Sequence, residues 1–191
     1  MSPRREALSM GQRILHGSTT NRVLRGAAQP VWVVESRLAK VAKVMALVDR
    51  TEVSSRVVAT AAALAEAYGA ERYVLSCLEY PDDVVLHRLP NAHKAILHYH
   101  QDVKAHAMAE LEKLTGGDTA WKLILNDEWV VRRAPKIIDK EKIDLVVLGS
   151  ASHSRLRGAL LGTTAERLLE RCYVSAWVVR PEGWTRQLDI D

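Results

Sequence analysis

Two segments of this 191-residue chain resemble each other without a gap. Residues 17–34 read GSTTNRVLRGAAQPVWVV, and residues 162–179 read GTTAERLLERCYVSAWVV, at a constant offset of 145 residues. Such self-similarity indicates that one supersecondary unit occurs twice. In each copy, a glycine and hydroxyl residues precede a short helical segment and a buried strand that contains Trp-Val-Val. Only the second copy has a full domain's length of chain in front of it, so the repeat constrains the fold more than any other feature.

Composition narrows the classes of protein that remain. Hydrophobic residues make up 48% of the chain, which is enough for a core, and no apolar run approaches the roughly 18–20 residues of a membrane span. The net charge of +4 is spread along the chain instead of forming one basic stripe with aromatic residues, so no nucleic-acid partner is expected. The basic N-terminus lacks the apolar block of a signal peptide. We therefore expect a soluble, cytoplasmic protein without membrane association, in which Cys77 and Cys172 are small buried side chains.

From residue 41 onward, predicted strands alternate with predicted helices. The strands are Val41–Val48, Arg72–Leu78, Trp121–Leu125, Asp144–Leu148 and Val174–Val179, and the helices are Ser54–Tyr68, His93–Leu114, Val130–Lys142 and Gly162–Arg171. Pro135 leaves open whether the third helix begins at Val130 or at the proline. The alternation predicts an α/β fold, with a five-stranded parallel sheet and helices on both faces. Ligands bind such sheets at the carboxyl ends of the strands, where the strand order reverses, which brings Asp49 close to Gly149.

The segment after the fourth strand has the residues of an anion site. Gly149 allows the backbone to approach a ligand closely. The helix that begins near Thr163 presents unpaired N–H groups and the positive end of its dipole, and Thr163 and Thr164 add hydroxyl donors. Arg155, in the connecting segment, adds a cation. These residues favour a phosphate-bearing small molecule as the ligand.

This segment resembles the nucleotide-binding motif of the universal stress protein family, which is Gly, two residues, Gly, nine residues, then Gly followed by Ser or Thr. Gly149, Gly162 and Thr163 match the spacing, and Ser152 replaces the middle glycine. The flanking sequences DLVVLGS, TAERLLE and VVRP also resemble the family, as does ALVDRTEVSSRV, where Arg50 stands at the usual glycine. The resemblance covers residues 40–181, and residues 10–35 resemble the end of another such domain.

The resemblance implies a sheet in the order 3-2-1-4-5, counted from the strand at Val41, of the adenine nucleotide alpha hydrolase type. It implies that ATP, possibly accompanied by Mg²⁺, lies over the first and fourth strands. By position, the nucleotide-binding residues would be Val48, Asp49, Leu78, Leu148, Gly149, Ser152, Arg155, Gly162, Thr163 and Thr164. Asp49 would meet the ribose or the adenine, the aliphatic residues would flank the base, and the glycine and hydroxyl residues would meet the sugar and phosphates. The implied function is a stress-response protein that binds ATP or a related nucleotide and acts through partner contacts.

A ligand-free alternative is open at the same positions. Asp49, Thr163 and Thr164 also suit helix caps, and Arg155 suits a solvated surface. Serine at position 152 would crowd a phosphate, and it is strained if the position requires a positive φ. The alternative function is an assembly module of the same family with a degenerate pocket that does not bind nucleotide.

No arrangement of residues predicts catalysis or a metal site. The chain has no GxSxG, HExxH or Walker motif, so we expect it not to be an enzyme. Slow hydrolysis of bound ATP stays open, as does the alternative of a weak phosphohydrolase or adenylyl-transfer enzyme of the broader ATP-binding α/β group. His98, Asp102 and His106 share one face of a predicted helix, but their spacing is loose for zinc, and a polar surface is the better interpretation.

The first copy of the repeat predicts a contact with the last strand. Residues 1–38 are interpreted as the remnant of a first domain of a tandem protein, residues 39–181 as a complete domain and residues 182–191 as a tail. The helix and strand of the remnant cannot bury their apolar faces alone. They dock on the main domain, on a second chain or on neither. The family resemblance implies antiparallel pairing of last strands across a two-fold axis, so we expect Val31–Val34 to pair with Ala176–Val179, with Trp32 and Trp177 near the contact, in a homodimer or a pseudo-dimer.

Overall fold

Six strands form one sheet in the computed structural model of the chain, which describes residues 18–35, 40–78, 80, 93–150, 162–172 and 174–181. The strands are β1 (Val31–Val33), β2 (Lys43–Val48), β3 (Glu71–Cys77), β4 (Trp121–Asn126), β5 (Leu145–Gly149) and β6 (Ser175–Val179). The helices of the described segments are α1 (Ser18–Gly26), α2 (Ser54–Tyr68), α3 (His93–Leu114), α4 (Val130–Glu141) and α5 (Thr163–Arg171).

The sheet has the order β1-β6-β5-β2-β3-β4. All neighbouring strands from β2 to β6 are parallel, whereas β1 is antiparallel to β6. Counted from β2, the five parallel strands follow the predicted order 3-2-1-4-5, and the first copy of the repeat adds the predicted antiparallel strand at the edge. The α/β architecture that the sequence indicates is therefore confirmed.

The central strands are apolar on both sides because each side packs against helices. In β2, Val44 and Ala46 belong to a core cluster with α2 and α3, whereas Met45 and Leu47 belong to a cluster with α4 and α5. All four side chains are buried. Continuous burial of this kind is what parallel strands covered on both faces require, and it explains why the sequence of β2 shows no alternation of polar and apolar residues.

The third helix of the predicted series begins at Val130 and not at Pro135. Trp129 occupies the N-cap position of α4, and its carbonyl oxygen accepts hydrogen bonds from the backbone N–H groups of Arg132 (2.9 Å) and Arg133 (3.1 Å). Pro135 lies inside the helix, which continues to Glu141. None of the helices in the described segments combines the length with the apolar composition that crossing a bilayer requires.

β1 and β6 are related by a local two-fold axis, and the symmetry relates equivalent residues of the sequence repeat. The register places Val31 opposite Val178, Trp32 opposite Trp177 and Val33 opposite Ala176. Since Trp32 and Trp177 occupy equivalent positions of the two repeats, the pseudo-two-fold axis passes between these two residues. Their ring centroids lie 5.5 Å apart. Two equivalent strands therefore meet within one chain as they would across the axis of a symmetric dimer.

Further contacts attach the first repeat to the rest of the sheet. The backbone N–H of Glu35 donates to Ser175 Oγ at 2.9 Å. The guanidinium of Arg180 donates to the carbonyl oxygen of Leu24 in α1. Leu24 is fully buried, Arg180 is 3% exposed, and this burial lowers the pKa of the arginine. The α1–β1 unit thus buries its apolar face against the domain that follows it in the chain.

We predict that Trp32→Ala lowers the free energy of unfolding by about 2 kcal/mol, somewhat less than truncation of a fully buried tryptophan because Trp32 is half-buried. The substitution removes the contacts with Trp177 and with Tyr68 of α2. Urea denaturation measures the change. Val34→Ala is the matched control, since Val34 is 53% exposed and its truncation should stay within about 0.5 kcal/mol. Equal losses in both variants would contradict a specific tryptophan contact.

Candidate functional site

A cleft of about 180 Å³ opens at the carboxyl ends of β2 and β5, where the strand order reverses. The helices that follow β2 and β3 pack on one face of the sheet, and those that follow β4 and β5 pack on the other. The loops after β2 and β5 consequently turn away from each other and leave a gap between them. This gap is where the sequence predicts that Asp49 and Gly149 come together, and both residues line it.

Seven of the ten predicted binding residues line this cleft. They are Val48, Asp49, Leu78, Leu148, Gly149, Gly162 and Thr164. Thr163 is the first residue of α5, whose N-terminal turn borders the cleft. Ser152 and Arg155 lie outside the described residues. The predicted set is thus gathered in one place as far as the structure describes it, and its role toward a ligand stays a prediction.

Asp49 organises the loop between β2 and α2. Its Oδ1 accepts hydrogen bonds from the backbone N–H of Thr51 (3.2 Å), from Thr51 Oγ1 (2.6 Å) and from Ser54 Oγ (3.3 Å). The N-cap position of α2 is Val53, which has no side-chain capping bond. The carboxylate therefore stabilises the turn before the helix and does not act as its N-cap, and it stays exposed at the mouth of the cleft.

Arg50 is a cleft residue that holds an unfavourable backbone conformation. Its φ of 61° lies in the left-handed region, which costs a non-glycine residue roughly 1–2 kcal/mol. Its Nη1 lies 3.4 Å from Glu110 Oε2 of α3. The side chain is half-buried, so this ion pair links the loop after β2 to the helix packed beside it. The sequence could have indicated a special backbone conformation here, because the family that the chain resembles usually has glycine at the position of Arg50.

The lack of a side chain at Gly149 serves the packing of the protein as well as any approach of a ligand. A Cβ atom at this position would lie 3.1 Å from Cγ1 of Val53 and 3.8 Å from Cγ2 of Val57. The first distance is shorter than the usual van der Waals separation of carbon atoms. The end of β5 therefore lies so close to the start of α2 that an alanine here would require Val53 to shift by a few tenths of an ångström. The sequence interpretation of this glycine, close approach of a ligand, missed this contact.

The N-terminus of α5 borders the cleft through Gly162 and Thr164. The N–H of Gly162 donates to the carbonyl oxygen of Ser150 at 2.8 Å, and the N–H of Ser150 donates to Val179 at 2.9 Å, which fastens the helix start to the ends of β5 and β6. The first intrahelical bond in this turn runs from Glu166 to Gly162. The preceding N–H groups have no acceptor within the helix, so together with the dipole they form a positive end suited to an anion.

Trp129 is a cleft residue that sequence reasoning missed. It is 52% exposed and lines the cleft from the loop between β4 and α4. The guanidinium carbon of Arg167 lies 5.4 Å from the centroid of its ring. Its position in the sequence, shortly after the predicted strand Trp121–Leu125, could have indicated this role. Residues that follow parallel strands gather at the carboxyl edge of the sheet, where the site is predicted.

The two cysteines have different environments, so the prediction that both are buried is wrong for Cys77. Cys172 is buried, and desolvation raises the pKa of its thiol to about 12. Cys77 is half-buried at the end of β3 and lines the cleft. Neither forms a disulfide. The tertiary position of each thiol, which the apolar sequence around it does not encode, decides whether it is accessible.

Two histidines of α3 lie near separate carboxylates on an exposed helix face. His98 Nε2 lies 3.5 Å from Asp102, and His106 Nε2 lies 3.5 Å from Glu110. Within the segments that the structure describes, no group of three or more His, Cys, Asp or Glu side chains is arranged to hold a metal ion.

Known proteins resemble this chain in sequence and in fold. The model of the universal stress protein family matches residues 40–180. No curated protein matches the chain significantly. A Pseudomonas aeruginosa UCBPP-PA14 structure assigned to the universal stress proteins superimposes with a TM-score of 0.69 at 19% identity, over 93% of this chain and 61% of that one. A universal stress protein from Archaeoglobus fulgidus DSM 4304 superimposes with a TM-score of 0.60 at 16% identity, over 86% of this chain and 55% of that one.

The UspA protein of Lactobacillus plantarum superimposes with a TM-score of 0.56 at 18% identity, over 74% of this chain and 99% of that one. This chain therefore spans about three fifths of the Pseudomonas chain and nearly the whole of the Lactobacillus chain. At these identities the structural likeness shows the fold alone.

We predict that one thiol of the folded protein reacts with a thiol reagent and that both react in denaturant. Cys77 is accessible through the cleft, whereas burial keeps Cys172 protonated and covered, and the thiolate is the reactive form. Titration with Ellman's reagent at pH 8 measures the stoichiometry. Cys77→Ser should abolish the reaction of the folded protein, and Cys172→Ser should preserve it. Fast native labelling of Cys77→Ser would contradict the assignment.

Proposed function

The chain belongs to the universal stress protein family, and we propose that it is a stress-response protein that binds ATP or a related nucleotide in the cleft between β2 and β5. The observation that carries the proposal is the convergence of an apolar wall and a helix N-terminus on one cleft. Nucleotides need this combination, because the base is planar and weakly polar whereas the phosphates are anionic.

The residues of the cleft suit the parts of a nucleotide. Val48, Leu78 and Leu148 are at most 7% exposed and offer an aliphatic surface to a base. The Asp49 carboxylate, an acceptor, suits the hydroxyl groups of a ribose. The N–H groups at the start of α5 and the side chain of Thr164 suit phosphate oxygens.

The volume and charge of the cleft are consistent with partial enclosure of the ligand. About 180 Å³ is below the roughly 300 Å³ at which ligand pockets usually begin, so we expect the cleft to enclose the base and sugar and the phosphates to extend along the α5 terminus. Mg²⁺ binds mainly to substrate phosphates with one or two carboxylates. Such an ion would therefore enter with the nucleotide, held mainly by its phosphates.

We predict that ATP with Mg²⁺ stabilises the wild-type protein and the Thr164→Gln variant but not Thr164→Glu. A glutamate in the first turn of α5 interacts favourably with the helix dipole, so the substitution should not lower the stability of the fold. Its negative charge, however, repels phosphate. At a free ATP concentration of 100 times Kd, binding stabilises the folded state by about 2.7 kcal/mol. Thermal melting with and without Mg-ATP measures the shift. The glutamine variant, of the same length and without charge, is the matched control.

Three results of this experiment separate the candidate functions. No shift in the wild type would contradict nucleotide binding. Equal shifts in the glutamine and glutamate variants would contradict phosphate contact at α5. Release of phosphate at enzymatic rates would contradict the expectation that the protein is not an enzyme, whereas slow release would not.

A second candidate function is an assembly module without nucleotide. Two observations favour it. The backbone of Arg50, in the cleft, is in the left-handed conformation and its side chain forms an ion pair with Glu110. Trp32 pairs with Trp177 on a pseudo-two-fold axis, an arrangement that suits partner contacts. In this function the edge of β6 is the interaction surface. In this chain, β1 of the first repeat pairs with that edge.

We predict that deletion of residues 1–38 produces a homodimer. The deletion uncovers the edge of β6, and a second β6 can pair in the register that β1 uses because the two strands are equivalent in the repeat. Analytical ultracentrifugation measures the mass. Trp177→Lys in the deleted chain should restore the monomer by placing like charges at the axis. A monomeric deletion variant with unchanged melting would contradict the role of this edge.

A further inference from the structure

Trp129 presents a large aromatic surface at a cleft where Val48, Leu78 and Leu148 form an aliphatic wall. The residue is 52% exposed, although it lines the cleft together with its neighbour Val130. Exposed aromatic side chains are common singly on protein surfaces, but an indole at the rim of a concave site offers area that a ligand can cover. The binding mode described above leaves this surface unused.

The position of Trp129 is set by backbone hydrogen bonds. Its carbonyl oxygen accepts from the N–H groups of Arg132 and Arg133, which makes it the N-cap residue of α4. The following residues Val131 and Ala134 are buried in the core. The indole therefore extends from an anchored backbone position, so a ligand can be contacted without rearrangement of the main chain.

Arg167 covers the indole from the side of α5. Its guanidinium carbon lies 5.4 Å from the ring centroid, within the range of a cation–π contact. Thr164 and Leu168, one turn apart on the same helix, line the cleft, whereas Arg167 is not one of the described residues that do. The arginine thus contacts the ring without lining the cleft, and Trp129 keeps 52% of its surface exposed with this contact in place.

We propose that Trp129, supported by Arg167, is the stacking surface for the heteroaromatic base of the bound nucleotide. This proposal rests on nucleotide binding in the cleft. The aliphatic residues at the ends of β2, β3 and β5 contact one side of the base, and the indole contacts the other. Stacking requires a planar ring, so the site selects compounds with a base over polyphosphates without one.

The test compares three ligands in four proteins by isothermal titration calorimetry. The ligands are Mg-ATP, adenosine and Mg-tripolyphosphate, and the proteins are the wild type, Trp129→Ala, Trp129→Phe and Tyr68→Ala. Trp129→Ala should weaken the binding of ATP and adenosine about tenfold or more and leave that of tripolyphosphate unchanged. Trp129→Phe should stay within about threefold of the wild type because it keeps an aromatic face. Tyr68, which is 42% exposed on α2 and outside the cleft lining, is the matched control.

A second readout follows the indole directly. Adenosine should quench part of the tryptophan emission of the wild type and should quench less in Trp129→Phe, whose circular dichroism should match the wild type. Unchanged ATP affinity in Trp129→Ala would overturn the stacking proposal and leave nucleotide binding intact. An equal loss for tripolyphosphate would overturn it in favour of a general effect on α5. Absence of ATP and adenosine binding to the wild type would overturn both proposals.

Discussion

β2 lies between β3 and β5 in the sheet. The site depends on the direction and the face of the connections that follow these strands. Right-handed crossovers require that connections running in opposite directions along a sheet lie on opposite faces. The helices α2 and α3 accordingly pack on one face, and α4 and α5 pack on the other. The connections that leave β2 and β5 run toward opposite edges of the sheet, to β3 and to β6, and their helices α2 and α5 pack on opposite faces, so the two loops diverge and leave a gap at the carboxyl edge.

The amino ends of the same two strands are held together. Asp144, directly before β5, accepts hydrogen bonds from the N–H groups of Ala42 (3.0 Å) and Lys43 (3.1 Å), and its own N–H donates to the carbonyl oxygen of Lys43. One end of the β2–β5 pair is therefore closed by a carboxylate and the other end is open. Asp144 lies at the end opposite the cleft, as its place before the strand predicts, and it has a structural role.

The walls of the cleft combine close packing with local strain. Gly149 brings β5 against Val53, the N–H of Gly162 ties α5 to Ser150, and Arg50 keeps a left-handed conformation while it pairs with Glu110. Each contact joins a loop at the cleft to a packed element of the core. Such attachments keep a concave site in shape before a ligand arrives, which lowers the entropic cost of binding.

The order and type of the elements follow from local patterns in the sequence, because apolar periodicity and helix-ending residues act over a few positions. The repeat at residues 17–34 and 162–179 identifies β1 and β6 as equivalent strands, and the family resemblance added the prediction that they pair, which the structure confirms. The contacts that shape the site were decided only by tertiary structure: Arg50 with Glu110, Gly149 with Val53, and Trp129 with Arg167. The partners in these contacts are 38 to 96 residues apart, so no local pattern records them, and the accessibility of Cys77 but not Cys172 has the same origin. Local chemistry selects the elements, and the packing of distant elements selects which side chains meet at the cleft.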